Sequence, residues 1–583
     1  MQTLKGIAVS PGIALGEAMV IDNEGFHVQY ARIKSEDLER EKERLESAFQ
    51  IAKQELAKNR DAVNQELGEQ YGAIFQAHLV LLDDKTMRKE IAVLLDEKLY
   101  SPEYAVHVVF KKYAEMMGQL SNGYMAQRAN DIFDLEKRLM RILMGIHPQS
   151  LANISKEVVI LAHNLTPSET TNLNRKAVKG FVTEIGSMGS HTAIVAEALE
   201  IPAIVGLGRF LPLLQTGQQV IVDGDSGTLI IDPDEETTHK YRRILELRHS
   251  EKDELSRLDS ELAITQDGTR IQLYGNIEFS EEAQHCYDRN ADGIGLYRTE
   301  FLYMTGEINL DEEAHYNAYK KVIEAMKGRP VTIRTFDMGS DKVQTDLMPD
   351  VEKNPALGLR SIRLALYLPE LFRKQLRAIL RASVLGPVRI LFPMIATLTE
   401  WRRVKMILND TFEDLDERGI EYDHGIKMGI MVELPATVMM IDRFMKDVDF
   451  LSIGTNDLIQ YTLAADRTNK DVASLFNAAD PAIIRLLRMI LSAAAAASKP
   501  VSLCGQMGSD PLYAMLLLGL GLRSISTPPM SLNAIKQIVR TVTIEECQNL
   551  VDRIMPMDSA ADIKSLLHIE MHKKLPHIKQ LGD

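Results

Sequence analysis

The spacing between hydrophobic positions changes along the chain, and regions with strand-like spacing can be told from regions with helical spacing. The first region, "LKGIAVSPGIALGEAMVI" at 4–21, alternates apolar with small residues and contains Gly and Pro turns, so it predicts short strands. From Ser35 the spacing becomes helical, because Leu38, Leu45 and Phe49 recur among Glu and Lys. Helical spacing continues to "DIFDLEKRLMRILMG" at 131–145, which predicts a helical region of roughly a hundred residues.

Strand-like patterns return in "EVVILAHNL", "VKGFVTEIG", "IPAIVGL" and "QVIVDGDSGTLIID", between 157 and 232. We interpret 1–34 and 144–235 as one small α/β domain and 35–143 as a helical domain inserted near its start. The segment 236–262 is highly charged with sparse leucines, which favours a solvated connecting helix.

Beyond residue 263 the pattern becomes a series of β-like runs, most of them separated by helical patterns. The runs are "RIQLYGNI", "GIGLYRTE", "VTIRTFD", "VRILFPM", "IKMGIMVE", "FLSIGTND", "VSLCGQM" and "SISTPP". Strand-then-helix units in this number predict a (β/α)₈ barrel over 263–583. The whole chain is therefore predicted to be a multidomain α/β protein with a small α/β domain, a helical insert and a TIM-type barrel.

Polar and charged residues end several of the predicted barrel strands, where active sites of this fold lie. Taken singly, an Arg and a Glu at strand ends could form an ordinary salt bridge, and a cysteine could be a small buried apolar residue. Their convergence from separate strands favours a functional site. The residues are Arg298, Arg334 with Asp337, Glu433, Asn456 with Asp457, and Cys504.

The chemistry of this set favours phosphoryl transfer. Glu433 and Asp457 suit a hard cation such as Mg²⁺, which accepts one or two carboxylates and completes its shell with water and substrate oxygens. Arg298, Arg334 and Arg467 supply the forked donors that a phosphate or carboxylate requires. Phosphoryl transfer needs mainly alignment and charge neutralisation, and Cys504 could give or take one proton.

A candidate acceptor for the phosphoryl group lies in the small α/β domain. In "GSHTAIVAEALEIPAIVG" at 189–206, His191 stands at the predicted start of a helix from about Thr192 to Leu199. Taken alone, the stretch favours an ordinary helix start, but unpaired N–H groups there would also receive an anion carried on the imidazole. His191 would serve as acceptor if its domain swivels over the barrel mouth.

Composition narrows the possible partners and the compartment. The formal net charge of −15 argues against nucleic-acid or anionic-membrane binding and favours a basic protein partner. No apolar run approaches the ~20 residues of a membrane span, and the N-terminus lacks the basic and the apolar segments of a signal peptide. We therefore predict a cytoplasmic protein without membrane insertion. Cys286, Cys504 and Cys547 show no metal-binding or disulfide spacing.

The order of several motifs resembles Enzyme I, the phosphoenolpyruvate-protein phosphotransferase family of the bacterial phosphotransferase system. The similarity extends over essentially the whole chain, which makes it more specific than any lone motif. The motifs are "SPGIALG", "IFQAHLVLLDD", "LTPSET", "GSHTAIVAEALEIPAIVG", "GIGLYRTEFLYM", "IRTFDMGSDK", "NPALGLRSIRLAL", "MVELPA", "GTNDLIQYTLAADR" and "LCGQMGSDP".

The resemblance implies the following roles. His191 would accept the phosphoryl group of phosphoenolpyruvate on Nε2 and pass it to a histidine of the carrier protein HPr or a paralogue, which feeds sugar transport. Cys504 would protonate the enolate to pyruvate, and Glu433 with Asp457 would hold Mg²⁺. The helical insert, including His78, would dock HPr, and the barrel would carry a homodimer interface. Further implied substrate contacts are Arg298, Arg334, Arg360, Arg467, Asn456, Asp457 and Lys342, and the implied neighbours of the phosphohistidine are Thr170, Ser190 and Thr192.

The sequence departs from the common family pattern at a few positions. Met188 and Gly189 replace an arginine and a threonine of the active loop, Gln506 replaces an acidic residue, and Ser340 replaces a glycine. We interpret these as specialisation. The alternatives are a nitrogen-branch Enzyme I and a catalytically weak regulatory paralogue that docks HPr-like carriers. A relative of pyruvate phosphate dikinase is disfavoured, because no Gly-rich nucleotide-binding domain of adequate length is present.

Overall fold

A computed structural model describes residues 1–21, 31–66, 69–118, 123–144, 156–163, 177–186, 201–211, 214–304, 311–339, 354–467, 469 and 472–575. The chain divides into two compact units, Met1–Ser250 and Glu251–Asp583. Each unit has its own sheet and its own hydrophobic core. The units are therefore described one after the other.

The first unit contains an eight-stranded sheet in the order β1-β8-β7-β3-β4-β5-β6-β2. Strands β3 to β6 are neighbours in parallel, whereas β7, β8, β1 and β2 pair antiparallel. Every residue of the central strand β4 is buried, as expected for a strand between parallel neighbours. The strands are β1 Gln2–Lys5, β2 Ile7–Ser10, β3 Ile13–Ile21, β4 Val158–Ala162, β5 Val178–Thr183, β6 Ala203–Val205, β7 Gln219–Asp223 and β8 Thr228–Ile231.

Helices follow β3 in the same unit. In α3, Asp84 caps the N-terminus by accepting hydrogen bonds from the N–H groups of Thr86 and Met87. Met87, Ile91 and Leu95 are buried at a spacing of four residues, which is the apolar stripe of an amphipathic helix. The helices are α1 Leu38–Glu66, α2 Glu69–Leu82, α3 Lys85–Lys98, α4 Pro102–Gly118 and α5 Gly123–Leu143. The charged helix α6, Glu235–Ser256, follows β8 and extends past Ser250, the last residue of this unit.

The second unit is built on a closed barrel of eight parallel strands, β9 to β16 in sequential order with β16 pairing β9. Each of the eight β-like runs predicted from the sequence contains one of these strands. The strands are β9 Gln272–Ile277, β10 Gly293–Tyr297, β11 Val331–Arg334, β12 Val388–Phe392, β13 Lys427–Val432, β14 Phe450–Ile453, β15 Val501–Leu503 and β16 Ser524–Thr527. The predicted multidomain α/β fold with a barrel is confirmed.

Helices cover the barrel, and several are capped by side chains close to them in sequence. In α12, Thr397 and Glu400 form a capping box, and Trp401, Val404 and Leu408 are buried at helical spacing. The helices are α7 Glu282–Asp288, α8 Phe301–Met304, α9 Glu312–Ala325, α10 Ile362–Tyr367, α11 Pro369–Ala382, α12 Leu398–Glu417, α13 Pro435–Met439, α14 Ile441–Phe444, α15 Thr455–Leu463, α16 Pro481–Ala497, α17 Pro511–Gly519, α18 Leu532–Thr541, α19 Ile544–Ile554 and α20 Ala560–Lys574.

The two sides of each barrel strand contact different environments, because side chains alternate along a strand. On β14, Leu451 and Ile453 belong to the large core shared with the helices. Phe450 belongs instead to a small cluster that also contains Met431 and Cys504. This smaller cluster lies below the polar residues that follow the strands.

Candidate active site

A cavity of about 610 Å³ opens at the carboxyl ends of the barrel strands. Arginines and carboxylates dominate its polar lining, and Cys504 reaches it from the end of β15. Sequence reasoning placed several of these residues together. The predicted residues that line the cavity are Arg298, Arg334, Asp337, Arg360, Glu433, Asn456, Asp457, Arg467 and Cys504.

Arg334 ends β11 and is buried. Its Nη2 lies 3.0 Å from Glu300 Oε1, and its Nη1 lies 3.2 Å from Asp337 Oδ2. Burial lowers the pKa of this guanidinium, but the charges of Glu300, Asp337 and Glu433 outweigh burial and raise it. Its Nε is also buried and has no hydrogen-bond partner among the described residues.

Arg360 connects two carboxylates of the same cavity. Its Nη2 donates to both oxygens of Asp337, at 3.0 and 3.2 Å, and its Nη1 donates to Asp457 Oδ1 at 3.2 Å. Tyr461 Oη also accepts from Nη1, at 3.2 Å. Burial opposes the charge of Arg360, but Asp337 and Asp457 raise its pKa. A predicted substrate ligand and a predicted metal ligand are therefore ion-paired here.

Glu433 follows β13 and is only 1% exposed. Its Oε1 accepts a hydrogen bond from the N–H of Met394, at 2.5 Å. Burial raises the pKa of this carboxyl well above its usual range, and repulsion from Asp457 and Asp337 raises it further. A Cβ at Gly454 would lie 2.7 Å from Glu433 Oε2, so a side chain there would displace this carboxylate.

Cys504 is 3% exposed and packs against Leu296, Met431 and Phe450. Its Sγ accepts a hydrogen bond from Ser452 Oγ, at 3.2 Å. Burial raises the pKa of the thiol, which therefore stays protonated at neutral pH. A buried thiol that lines an arginine-rich cavity is placed to donate a proton to a bound substrate.

The remaining predicted residues are nearer to solvent. Arg298 forms an ion pair with Glu278, and the two side chains are 36% and 48% exposed. Asn456 Oδ1 accepts from the N–H of Gln506, at 3.0 Å, which ties the loop after β15 to the start of α15. Arg467 is exposed at the rim of the cavity.

Several predicted residues lie outside the described part of the chain. They are His191, Thr170, Ser190, Thr192 and Lys342, together with the departures Met188, Gly189 and Ser340. Of the strands on either side of His191 in the sequence, β5 ends at Thr183 and its parallel neighbour β6 begins at Ala203.

The structure contradicts one role assigned to the helical insert. His78 was expected on the HPr-docking surface, but its side chain is fully buried in α2, with Nδ1 3.6 Å from Asp134 Oδ2. The imidazole packs edge-on near Phe75. His78 is therefore part of the interior of the helical region, and the expectation of a surface role was wrong.

Comparison with known proteins identifies the family. Three family models match successive parts of the chain: "PEP-utilising enzyme, N-terminal" at 5–128, "PEP-utilising enzyme, mobile domain" at 154–227 and "PEP-utilising enzyme, PEP-binding domain" at 252–544. A phosphoenolpyruvate-protein phosphotransferase of Priestia megaterium is 41% identical over 97% of this chain and 99% of that one. The chain belongs to the phosphoenolpyruvate-protein phosphotransferase family.

Further relatives of the same name agree. That of Geobacillus stearothermophilus is 41% identical, and that of Bacillus subtilis strain 168 is 39% identical, each over 97% of this chain and 98% of the relative. The family resemblance stated from the sequence motifs is confirmed. In the described ranges of this phosphotransferase-family chain, no helix combines the length and apolar character needed to cross a membrane.

Sequence reasoning named Asp337 and Asp457, which pair with arginines of this phosphotransferase-family site, but it missed two further carboxylate partners. Glu278 and Glu300 follow β9 and β10, and each forms an ion pair with an arginine of the cavity. The rule that selected Arg298 would also have selected them, because they stand at strand ends. Ser452 and Tyr461 carry no such signal, since they lie within β14 and α15.

The cavity carboxylates Glu433 and Asp457 could supply some, but not all, of the ligands of a divalent cation. Within the described residues, no group of three or more His, Cys, Asp or Glu side chains is arranged to hold a metal ion. Glu433 and Asp457 nevertheless share the cavity, and their mutual repulsion raises the pKa of Glu433. A hard cation that relies on one or two carboxylates and on substrate oxygens would relieve that repulsion.

Proposed function

We propose that this chain transfers the phosphoryl group of phosphoenolpyruvate first to its own His191, on Nε2, and then to a histidine of a small HPr-type carrier protein. Membership of the family supports the overall reaction. The single structural observation that carries the proposal is the cavity in which Arg334 and Arg360 meet Glu433, Asp457 and Cys504. Such a site matches a substrate that is both a phosphate and a carboxylate.

The arginines bind and orient the substrate. Arg334 places a buried positive charge on the cavity wall, and Arg298 and Arg467 add positive charge nearer to solvent. Asn456 adds a side-chain amide, and Lys342 would add a further cation. Preorganised positive charge lowers the cost of the negative charge that develops during transfer.

Glu433 and Asp457 are the residues that would hold Mg²⁺. The ion, when bound, would supply positive charge that stabilises the enolate oxygen. Arg360 donates to Oδ1 of Asp457, so the same carboxylate could hold the ion through Oδ2 while this ion pair stays in place. Asp337 also pairs with Arg360, which keeps the guanidinium compensated.

Cys504 completes the reaction by protonating the enolate. The S–H bond breaks, its proton forms a C–H bond at C3 of the enolate, and its electron pair stays on Sγ as thiolate. The enolate collapses to the ketone pyruvate, and the thiolate regains a proton from water. The raised pKa of Cys504 keeps the proton in place until the enolate forms.

We also propose the organisation that the sequence suggested: an α/β phosphohistidine domain of 1–34 and 144–235, a carrier-binding helical domain of 35–143, a linker of 236–262, and a substrate-binding barrel of 263–583 that forms a homodimer. The helices α1 to α5 and the barrel strands β9 to β16 fall within those bounds. Thr170, Ser190 and Thr192 would surround the phosphohistidine.

The nitrogen-branch and regulatory alternatives are less favoured. The curated relatives that match 97% of the chain carry the name of the enzyme. A protein that only docks carriers also has no need for a buried thiol beside paired arginines.

The first experiment measures phosphorylation directly. The full chain is incubated with phosphoenolpyruvate and Mg²⁺, and its intact mass is recorded. We expect one acid-labile phosphoryl group, which is absent from His191→Ala and after metal chelation. His239→Ala is the matched control, because it removes an exposed imidazole of the first unit and should be phosphorylated normally. Phosphorylation of His191→Ala at the wild-type level would contradict the proposed acceptor.

The second half-reaction is tested by adding a purified HPr-type carrier to the phosphorylated chain. We expect the label to move to the carrier and the phosphorylated chain to return to its original mass. A label that stays on the chain would contradict carrier phosphorylation and favour the regulatory alternative.

A further inference from the structure

Cys504 lies in surroundings that disfavour a negative charge on sulfur. Leu296, Leu391, Met431 and Phe450 form the apolar cluster around it. A thiolate in such an environment lacks the hydration that stabilises it in water, so burial opposes loss of the proton. Any polar group directed at Sγ therefore has a large effect on the proton transfer.

Ser452 supplies such a group. It lies on β14, next to β15, is fully buried, and its Oγ donates to Cys504 Sγ at 3.2 Å. Ser502 Oγ in turn donates to Ser452 Oγ at 3.3 Å, which orients the first hydroxyl toward the sulfur. Hydrogen bonds in such a chain polarise and strengthen one another.

We propose that Ser452 is a positioning residue whose hydroxyl stabilises the Cys504 thiolate formed when the enolate takes the thiol proton. The inference rests on the proposed function, because it assumes that Cys504 is the proton donor. It adds that the donor is activated from inside the barrel by the hydroxyl pair of Ser452 and Ser502.

Charged groups also act on the sulfur from other strands. Arg334 on β11 and Arg298 after β10 lower the pKa of Cys504, and Glu433 after β13 raises it. The Ser452 hydrogen bond lowers the pKa more than either arginine does, although burial exceeds all of them. These arginines also serve the substrate in the proposed reaction, whereas the side-chain hydrogen bonds given for Ser452 among the described residues are those with Cys504 and Ser502.

The proton balance is unchanged by the serine. The proton that reaches C3 is the one carried on Sγ, and Ser452 keeps its own proton while donating it as a hydrogen bond. The bond becomes stronger when sulfur gains a full negative charge, because hydrogen bonds to ionised acceptors are about twice as strong as neutral ones. Ser452 therefore stabilises the product of proton transfer more than the starting thiol.

The test compares Ser452→Ala with Ser502→Ala. Full-length protein is incubated with Mg²⁺, phosphoenolpyruvate and excess pyruvate in deuterated water, and exchange at C3 of pyruvate is followed by NMR. We expect Ser452→Ala to slow exchange roughly tenfold and to move its pH profile upward by about one pH unit. Ser502→Ala leaves the direct bond to sulfur in place, so we expect a smaller effect. Ser452→Thr keeps a hydroxyl and should restore most of the rate.

A second measurement reports on the thiol without catalysis. The rate of iodoacetamide alkylation at Cys504 is measured against pH by peptide mass spectrometry, with the buried Cys286 and Cys547 as internal references. We expect the alkylation pKa to rise by about one in Ser452→Ala and to return in Ser452→Thr. Melting curves show whether each variant is folded.

The outcomes separate the inference from the function on which it rests. If Cys504→Ala abolishes exchange while Ser452→Ala behaves as wild type in both assays, the inference is overturned and the role of Cys504 stands. If Cys504→Ala exchanges normally, the proposed role of Cys504 fails, and the inference fails with it. A raised alkylation pKa with slowed exchange in Ser452→Ala, both reversed in Ser452→Thr, supports both.

Discussion

The barrel buries positive charge in two different ways. At its mouth, Arg334 is buried against the carboxylates of Glu300 and Asp337 and faces a cavity. On α18, Lys536 is also buried, but its ammonium group donates to main-chain carbonyls of Leu258, Asp259 and Arg289. We call the second arrangement the carbonyl anchor.

Electrostatics differ between the two arrangements. Burial lowers the pKa of both groups, but nearby carboxylates reverse the shift at Arg334 and raise its pKa. At Lys536 burial prevails over Asp259, Asp292 and Glu261, and the pKa is lowered to about 8. A cation that has to bind an anion needs a permanent charge and a cavity, whereas one that joins loops needs only acceptors.

The buried arginine at the barrel mouth and the carbonyl anchor have different roles. Carboxylates at the mouth hold the arginines in place, and a bound phosphate or carboxylate competes with them for the same donors. The carbonyl anchor ties the chain just before β9 and the end of α7 to α18, and it offers no donor to a ligand in the cavity. Loss of Arg334 should therefore affect activity first, and loss of Lys536 should affect stability alone.

The largest effect is expected for Arg334→Gln. This variant removes a charged donor from the substrate site, so we expect kcat/KM for phosphoenolpyruvate to fall roughly 10²- to 10³-fold. It also leaves Glu300 without its buried partner, which we expect to cost about 3–5 kcal/mol of stability. Steady-state kinetics and denaturant unfolding measure the two effects.

Arg334→Lys is the matched control for charge. It keeps a cation but loses the forked geometry, so intermediate activity is expected. If Arg334→Gln retained the wild-type kcat/KM, the ion pairs of Arg334 with Glu300 and Asp337 would have only a structural role. Arg334 would then not differ in role from Lys536 in the carbonyl anchor.

An intermediate effect, confined to stability, is expected for Lys536→Met. Loss of the donor removes its hydrogen bonds to three half-buried main-chain carbonyl groups, so we expect a cost of about 1–3 kcal/mol with unchanged kcat and KM. The native state binds fewer protons than the unfolded state between about pH 8 and the ordinary lysine pKa of 10.5. Wild-type stability relative to Lys536→Met should therefore increase with pH over that window.

Denaturant unfolding of both proteins at about pH 7 and about pH 10 measures this difference. A relative stability that decreases with rising pH would mean that the native lysine is held charged, as the arginines of the mouth are. The contrast between the two buried cations would then be lost.

The smallest effect is expected for Glu278→Gln. Glu278 forms an ion pair with Arg298, and the Arg298 side chain is 36% exposed and the Glu278 side chain 48% exposed. Ion pairs this exposed contribute at most about 1 kcal/mol to stability. Removal of the competing carboxylate should lower the KM for phosphoenolpyruvate by less than about tenfold and leave kcat unchanged. A large rise in KM would show that Glu278 positions Arg298 for the substrate instead of competing with it.

The sequence by itself determined the barrel and most of the polar groups at its mouth. Strand patterns are local, and a parallel barrel brings all carboxyl ends to one face, so Arg298, Arg334, Glu433 and Cys504 could be placed together before any distance was known. The family could also be stated, because several motifs stand in a fixed order along one chain.

Only the tertiary structure decided which group contacts which. Arg360 pairs with Asp457 across 97 positions, and Ser452 reaches Cys504 across 52, and no local pattern contains such separations. His78 and Lys536 are buried although their types are common at surfaces, because their neighbours come from distant segments. The spacing of hydrophobic residues within one helix or strand determines which of its side chains face inward. The contacts and the burial of a given side chain depend on how separate helices and strands pack together.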